Sequence, residues 1–357
     1  MKMCFRWYGA DSDPIPLRFI RQIPGVSGIM GLIDDYMPGD IWTAERVRAL
    51  VDEVHEAGLE LEVIESVKVH EAIKQGRPDR DLYIANYKES IINLARHGVK
   101  VIIYDFMPVF DWVRTDLAHE NEDGSNTMYY DGRELASLTP QDLLERMRSG
   151  SGGFTLAGWE AERMAELDLL VKQYETISEA DLVSNFKYFL DAIMPVCEEY
   201  GLKMALHPDD PAWPIFGIPR IAHSQEQFDA ILALNDSPSH CLCLCTGSLG
   251  SNPDNDVVAM IRHFGTMGRV AAVHVRNVKH IEPGVFKESS HLAADGSLDM
   301  VGIMRAIHDT SPDVYIRPDH GRMIWDEKGR PGYGLYDRAM GIMYLNGIWD
   351  SLNQAAK

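Results

Sequence analysis

The alternation of short apolar runs with amphipathic helical segments limits what this chain can fold into. Eight runs rich in Val, Ile and Leu alternate with helical patterns along 357 residues. Such runs are typical of parallel strands covered by helices. Eight units at this length most simply close into one (β/α)8 TIM barrel, so we predict a single α/β domain over residues 1–357. The predicted strands are residues 5–8, 26–30, 59–64, 99–106, 202–206, 240–245, 270–275 and 314–317.

An open, doubly wound sheet is the alternative architecture for the same pattern. Such sheets usually carry a Gly-x-Gly-x-x-Gly turn after the first strand, and the loop after Tyr8 has none. The regular alternation fails only once, after Pro108 and thus after the fourth strand. Residues 109–155 hold polar clusters, glycine-containing breaks and one short helical segment near residues 141–148. We predict a long insertion that acts as a lid, with a purely structural insertion as the alternative.

Charge and cysteine content exclude several classes of protein. The net charge of −20, from 54 acidic and 34 basic residues, argues against nucleic acid as a partner, because such binders need a basic surface. Five cysteines, three of them on alternate positions of one segment, do not form a secreted disulfide framework. No signal peptide and no apolar run of about 18 residues is visible, so we predict a cytoplasmic protein without a membrane partner.

Four consecutive predicted strands end in a residue that can bind a metal. Side chains alternate along a strand, so the inward-facing residues at the four ends are His207, Cys245, His274 and Asp319. Catalytic groups of barrels lie at these carboxyl ends. Two imidazoles, a thiolate and a carboxylate suit Mn²⁺, Fe²⁺, Co²⁺ or Zn²⁺ better than Mg²⁺ or Ca²⁺.

Each of these residues also has an ordinary structural interpretation. A lone histidine at a strand end is usually a hydrogen-bonded structural group, and a lone inward cysteine is usually a small buried hydrophobe. Cys241 and Cys243, which lie lower in the barrel, keep that interpretation. Four such residues at one depth are harder to explain in this way, so we predict a divalent metal site.

The same segments resemble those of the D-mannonate dehydratase family of hexuronate degradation, and the resemblance covers essentially the whole chain. It is carried by MKMCFRWYG at residues 1–9, LHPDDP at 206–211, CLCTGS at 243–248, HVRN at 274–277 and RPDHGR at 317–322. The resemblance implies a metal-dependent barrel of the xylose isomerase-like group. It implies dehydration of D-mannonate to 2-dehydro-3-deoxy-D-gluconate with Mn²⁺ or Fe²⁺ held by the four residues named above, in a homo-oligomer that is a dimer or larger.

The resemblance also implies two acid–base groups, His320 and Tyr333. The reaction takes a proton from carbon 2 and expels the hydroxyl of carbon 3, so it needs a base and an acid. Which residue fills which role is not readable from the sequence. The alternatives are that His320 only supports the neighbouring ligand and that Tyr333 only packs on the barrel rim.

An anionic substrate needs cationic or amide donors. Arg276 shares the inward parity of His274 and could bind a carboxylate in bidentate fashion, with Asn277 beside it. The alternative for Arg276 is a salt bridge to a strand-end acid such as Glu65 or Asp105. Arg6 and Trp7, at the end of the first strand, are further candidates for lining the sugar-acid pocket.

Three other charged residues near the predicted ligands have structural interpretations. Arg317 shares the inward parity of Asp319, so we predict that it is the buried partner of this carboxylate. Asp209 and Asp210 follow His207 between two prolines, and we predict that they form a turn there.

Other functions remain possible for a barrel with this site. A sugar isomerase of the same superfamily also needs a metal but usually binds it with more carboxylates, so the thiolate of Cys245 favours the dehydratase. A metal-dependent endonuclease is disfavoured by the net charge of −20. A non-catalytic sugar-acid-binding protein is disfavoured by the presence of His320 and Tyr333 beside an intact ligand set.

Overall fold

A computed structural model describes residues 1–154, 156, 159, 161 and 165–355 of the chain. Eight parallel strands form a closed barrel, which confirms the predicted fold. These strands are β1 (Lys2–Arg6), β2 (Gly28–Gly31), β3 (Glu60–Glu65), β4 (Val101–Tyr104), β7 (Lys203–Leu206), β8 (His240–Cys245), β9 (Val270–Val275) and β12 (Tyr315–Pro318). Around the barrel they follow the order β1-β12-β9-β8-β7-β4-β3-β2.

Helices cover the outer face of the barrel and complete the βα units. The described helices are α1 (Leu17–Ile20), α2 (Ala44–Glu56), α3 (Glu71–Lys74), α4 (Arg80–Arg96), α5 (Gly132–Leu135), α6 (Pro140–Gly150), α7 (Leu167–Tyr174), α8 (Glu179–Tyr200), α9 (Gln225–Leu232), α10 (Thr246–Gly250), α11 (Val257–Thr266), α12 (Met300–Thr310) and α13 (Leu335–Ala355). The sequence signals that begin and end them are local. Helix α8, for example, begins at a capping box formed by Ser178 and Asp181 and ends at Gly201 in the left-handed conformation.

Side-chain alternation along the strands divides the barrel into an interior and an outer layer. The outward residues pack against the helices in the main hydrophobic core, whereas the interior is filled by a separate cluster of small and branched residues. That interior cluster consists of Cys4, Met30, Val63, Val101, Ile103, Ala205, Cys241, Cys243, Ala271 and Ala272, with Tyr315 packed against it. The predicted interior position of Cys241 and Cys243 is therefore confirmed.

A second, antiparallel sheet lies beside the barrel and was not predicted from the sequence, which indicated only a short helical segment in the insertion. It contains β5 (Asp116–Glu120), β6 (Asn126–Asp131), β10 (Val278–Glu282) and β11 (Val285–Glu288), in the order β10-β11-β6-β5. Strands β5 and β6 belong to the predicted insertion. Strands β10 and β11 form a hairpin after β9 that the sequence analysis missed, because charged residues interrupt both strands and only the turn at Gly284, with φ of 74°, marks it.

The insertion has a hydrophobic core of its own. Residues of β5, β6 and helices α5 to α7 pack with residues of the β10–β11 hairpin and of the loop after β7. Helix α6 extends over the predicted helical segment. Whether residues 109–154 move as a lid stays a prediction, and residue 155 lies outside the described residues.

Two observations bear on the predictions made from composition. All five cysteines are buried and unpaired, which confirms that the chain is not a disulfide framework. None of the helices that the structure describes combines the length and the apolar character needed to cross a membrane.

Two glycines in helical contexts make a matched test of the backbone. We expect Gly201→Ala to destabilise the protein by about 1 kcal/mol, since Gly201 has φ of 65° and alanine is strained there. Gly347→Ala, within α13, is expected to stabilise it by about 1 kcal/mol. An added Cβ meets nothing within 4 Å at either position, so packing does not contribute. The midpoint of thermal unfolding should move in opposite directions; shifts of the same sign would contradict the argument.

Candidate metal centre and active site

At the carboxyl ends of the barrel strands, the inward row of side chains changes from apolar to polar. On six strands an apolar interior residue is followed two positions later by a polar one, because alternate residues face the same side; on β12, Asp319 follows Arg317 in the same way. This rule places seven polar side chains around one rim: Arg6, Glu65, Asp105, His207, Cys245, His274 and Asp319. Strand β2 contributes no polar residue to the row.

Three of the predicted ligands come together directly. The ligand atoms of His207, Cys245 and His274 all lie within 4.8 Å of one another. Cys245 and His274 are direct neighbours in the β8–β9 pairing, and the rings of His207 and His274 have centroids 5.1 Å apart. Asp319 is not within that group of three, but its Oδ2 lies 3.3 Å from Sγ of Cys245. It is therefore placed beside the group as a possible fourth ligand.

The charges of this group favour the binding of a cation. Burial would raise the pKa of the Cys245 thiol, but Arg276 and hydrogen bonds from the two histidines lower the pKa to about 5. Burial likewise opposes ionisation of Asp319, yet Arg317 and other cations hold its pKa well below the usual value. A thiolate and a carboxylate thus lie side by side at neutral pH. The same surroundings raise the pKa of His207 to about 10 despite its burial.

The donor atoms fit a divalent cation. Nε2 of His274 is buried without a hydrogen-bond partner among the described residues, although Oε2 of Glu65 is 3.4 Å away. Nδ1 of His207 lies 2.7 Å from the carbonyl oxygen of Pro208, a contact that leaves Nε2 as the ligating nitrogen. Imidazole, thiolate and carboxylate together suit Mn²⁺, Fe²⁺, Co²⁺ or Zn²⁺, as the sequence predicted.

His320 and Tyr333 are in direct contact beside this group. Nε2 of His320 lies 2.8 Å from the phenol oxygen of Tyr333, and the two rings pack edge to face. Nδ1 of His320 is held from behind by Nη1 of Arg276 at 2.8 Å and Oε1 of Glu288 at 3.4 Å. Burial raises the pKa of Tyr333 well above its ordinary value, with a further contribution from Tyr8, so the phenol keeps its proton at neutral pH.

One pocket is lined by two of the predicted ligands, His207 and Asp319, and by both predicted acid–base residues, His320 and Tyr333. It encloses about 540 Å³, including the part that is open to solvent. Its lining includes Arg6, Tyr8, Glu65, Asp105, Asp111, Trp112, His207, Asp210, Arg317, Asp319, His320 and Tyr333. Arg6 is thus at the pocket, as predicted for a substrate-binding residue. Arg317 binds Oδ1 of Asp319 at 2.6 Å and Oε1 of Glu65 at 2.9 Å, which confirms its predicted role as a buried partner.

Arg276 does not line the pocket as expected of a substrate-binding residue. Its side chain is fully buried and is ion-paired with Asp210 and Glu288, so both of its terminal nitrogens are engaged within the protein. The alternative, a salt bridge to a strand-end acid, is formed, but with Asp319 and not with Glu65 or Asp105. Nε of Arg276 lies 3.2 Å from Oδ2 of Asp319, an ion pair without the geometry of a hydrogen bond.

Asn277 and Trp7 also lie away from the pocket. Asn277 is fully buried and bridges two backbone groups, donating to the carbonyl of Leu292 and accepting from the amide of Leu298. Trp7 has the outward parity of β1 and belongs to the main hydrophobic core, where its indole donates to the carbonyl of Ile15. Both side chains stabilise the fold around the site.

Three charged residues of the site were missed or misjudged. Asp210, predicted to form a turn, instead accepts hydrogen bonds from Arg114 at 2.8 Å and 3.2 Å, whereas Asp209 does stabilise its loop by accepting from the amide of Ala222. Oε1 of Glu288 also accepts a hydrogen bond from Nη2 of Arg114, at 2.5 Å. No barrel strand-end signal marks Arg114 or Glu288, because Arg114 lies in the loop before β5 and Glu288 ends β11 of the antiparallel sheet.

Comparisons with known proteins agree over the full length of the chain. A family model described as D-mannonate dehydratase (UxuA) matches residues 1–357. A mannonate dehydratase of Lachnoclostridium phytofermentans is 62% identical, with 100% of both chains covered, and one of Thermotoga petrophila is 50% identical, with 100% and 99% covered.

Solved structures give the same result for the fold. The crystal structure of mannonate dehydratase from Streptococcus suis serotype 2 superposes with a TM-score of 0.91 at 42% identity, covering 100% of this chain and 96% of that one. A D-tagatose 3-epimerase-like protein, at a TM-score of 0.56 and 11% identity over 100% of both chains, is similar in fold alone.

Two cysteines of one strand allow a controlled test of the metal group. We expect Cys245→Ala to lower the content of bound Mn²⁺, measured by elemental analysis after loading and desalting, at least tenfold. Cys243→Ala removes a thiol from the same inward row but not from the ligand group, so it should keep its metal. Equal metal content in the two variants would exclude Cys245 as a ligand.

Proposed function

The chain belongs to the D-mannonate dehydratase family, and on that premise we propose how its site performs the reaction. The reaction removes water from D-mannonate and gives 2-dehydro-3-deoxy-D-gluconate, a step of hexuronate catabolism. The observation that supports the mechanism is the 2.8 Å contact between His320 and Tyr333, in a pocket that His207 and Asp319 also line. Cys245 and His274 lie directly behind, with their ligand atoms within 4.8 Å of that of His207.

The reaction sets two chemical requirements. Carbon 2 lies beside a carboxylate and is a weak acid, so the charge that develops when its proton leaves must be stabilised. The hydroxyl on carbon 3 is a poor leaving group unless a proton reaches it. We propose that His207, Cys245, His274 and Asp319 hold a divalent cation, Mn²⁺ or Fe²⁺, which when bound supplies a Lewis acid for substrate oxygens next to carbon 2.

The acid–base pair supplies both proton transfers in this proposal. Tyr333 holds its proton at neutral pH, so it is suited to deliver a proton to the leaving hydroxyl. His320 then takes the proton of carbon 2 through Nε2. In this step Nδ1 of the ring carries a proton that Oε1 of Glu288 accepts, so Nη1 of Arg276, which can only donate, bonds Glu288 and not Nδ1 in the reacting state. Because the two groups share a hydrogen bond, the proton gained by His320 can pass to Tyr333 and restore the starting state.

Arg6 is the proposed partner of the substrate carboxylate. It lines the pocket at the end of β1, next to β12, whose loop carries His320. Its Nη1 contacts backbone carbonyls of Trp7 and Met30, and its ion pair with Glu65 is long, at 3.8 Å between Nε and Oε2. Its charge is therefore less fully compensated than that of Arg317.

Cellular location and assembly complete the proposal. We propose a cytoplasmic enzyme, since its five cysteines are all unpaired. The family resemblance supports a homo-oligomer, and sedimentation equilibrium of the purified protein measures this directly.

The activity itself has a direct assay. Protein loaded with Mn²⁺ or Fe²⁺ under reducing conditions should convert D-mannonate to a 2-keto-3-deoxy acid, detected by its reaction with periodate and thiobarbiturate. Removal of the metal with a chelator should abolish turnover, and adding the metal back should restore it. No product in the metal-loaded protein would refute the proposed function, and isomerised sugar as product would support the isomerase alternative.

The hydroxyl group of Tyr333 can be removed with little change in the shape of the side chain. We expect Tyr333→Phe to lower kcat by at least about 100-fold, because general acid–base groups contribute roughly 10²–10⁴-fold. Metal content should not change, since Tyr333 is outside the ligand group. Tyr336→Phe is the control: Tyr336 is exposed on α13 and should keep full activity. Loss of metal in Tyr333→Phe would instead assign this residue to the scaffold.

A further inference from the structure

Asp105 is a charged pocket residue that the proposed mechanism does not use. It directly follows β4 and continues the inward parity of Val101 and Ile103, so its carboxylate faces the pocket and stays 14% exposed. Oδ1 accepts a hydrogen bond from the amide of Met107 at 3.1 Å and lies 3.8 Å from Nζ of Lys74. Within the described part of the chain, no hydrogen bond involves Oδ2.

Glu65 and Asp210, two other carboxylates of the pocket, are already engaged by arginines. Glu65 accepts two hydrogen bonds from Arg317, and Asp210 accepts from Arg114 and Arg276. Asp105 differs from these two because half of its carboxylate remains open to the pocket. An ionised carboxylate oxygen accepts hydrogen bonds only, so the ligand that it suits is a hydroxyl group.

The order of strands around the barrel gives the substrate a direction. The four ligand strands are consecutive, as β12, β9, β8 and β7. Strand β1, with Arg6 at its end, flanks them on the β12 side, whereas β4, followed by Asp105, flanks them on the β7 side. His320 and Tyr333 both follow β12 in the chain. The acid–base pair is therefore on the Arg6 side of the pocket, and Asp105 is on the other side.

A six-carbon acid fits this arrangement in one direction. Carbons 2 and 3 must lie at the acid–base pair, so the carboxylate on carbon 1 points toward Arg6 and carbons 4 to 6 point toward β4. Resting on the proposed function, we infer that Asp105 binds the hydroxyls of carbons 5 and 6 and makes the enzyme selective for the full-length sugar acid.

The shape of the pocket agrees with this direction. Asp105 and Met107 line both the active-site pocket and a second cavity, which encloses about 860 Å³ with its open part and extends beside His70 and Lys74. The space beyond Asp105 can accommodate the distal carbons. A hydrogen bond from a hydroxyl to a charged group contributes about 1.5–3 kcal/mol, which corresponds to roughly a 10- to 150-fold change in affinity.

A shortened substrate isolates this interaction. L-erythronate keeps the configuration of carbons 2 and 3 of D-mannonate but lacks carbons 5 and 6. Calorimetric titration of metal-loaded protein that carries Tyr333→Phe, and therefore turns over slowly, gives the dissociation constants of both acids, and kinetics of protein with Tyr333 intact give kcat and KM for D-mannonate. We expect Asp105→Ala to weaken D-mannonate binding at least tenfold, mainly through KM, and to change L-erythronate binding less than twofold. Asp105→Asn, which keeps one oxygen acceptor, should lie between the two proteins.

Asp236→Ala provides the control, because it removes the same type of charge at an exposed site that lines neither cavity. This variant should not change the ratio of the two dissociation constants. Equal weakening of both acids in Asp105→Ala, or the same loss of selectivity in Asp236→Ala, would overturn the inference. Wild-type protein that binds both acids without dehydrating D-mannonate would refute the proposed function alone, because the binding comparison still tests Asp105.

Discussion

Carboxylates buried at the end of this barrel face arginines, and the rest of the site depends on these pairs. Arg317 lies between Glu65 and Asp319, and Arg276 lies between Asp210 and Glu288. An isolated charge in such surroundings is strongly destabilising, whereas a hydrogen-bonded pair is tolerated. The pairs therefore allow the carboxylate of Asp319 to be ionised and fixed in position before any substrate binds.

The same pairs join parts of the chain that are far apart in sequence. Arg114 of the insertion binds Glu288, which is 174 residues away in the chain. Glu288 contacts His320 directly, and Arg114 also binds Asp210, the partner of Arg276. The antiparallel sheet is thus bound to the barrel by buried charge as well as by its own hydrophobic core. Its contribution to the site is to close the space behind the imidazole and to fix the direction in which the ring points.

The rim of the barrel separates two kinds of chemistry. One half carries the thiolate and imidazoles, which attract a cation; the other half, from β1 to β4, carries Arg6, Glu65 and Asp105, which suit the ends of a polyhydroxy acid. The acid–base pair stands at the boundary on the β12 side. This arrangement follows from strand order alone, because each strand delivers one inward side chain to the rim.

The sequence by itself determined the barrel, its eight strands and the side chains that reach the rim. Alternation within each strand is a local property, so the inward positions of His207, Cys245, His274 and Asp319 could be read from the residues directly. The same rule, applied strictly, would have placed Arg6 inward and Trp7 in the outer core.

Only the tertiary structure decided which charged groups pair and which remain open to the pocket. Arg276 has the correct parity for a substrate-binding residue, yet Asp210 and Glu288 occupy its guanidinium. The physical reason is that ion pairs form between strand ends, loops and an inserted hairpin that are distant in the chain. Local patterns determine the direction in which a side chain points, but its partners depend on the packing of the complete fold.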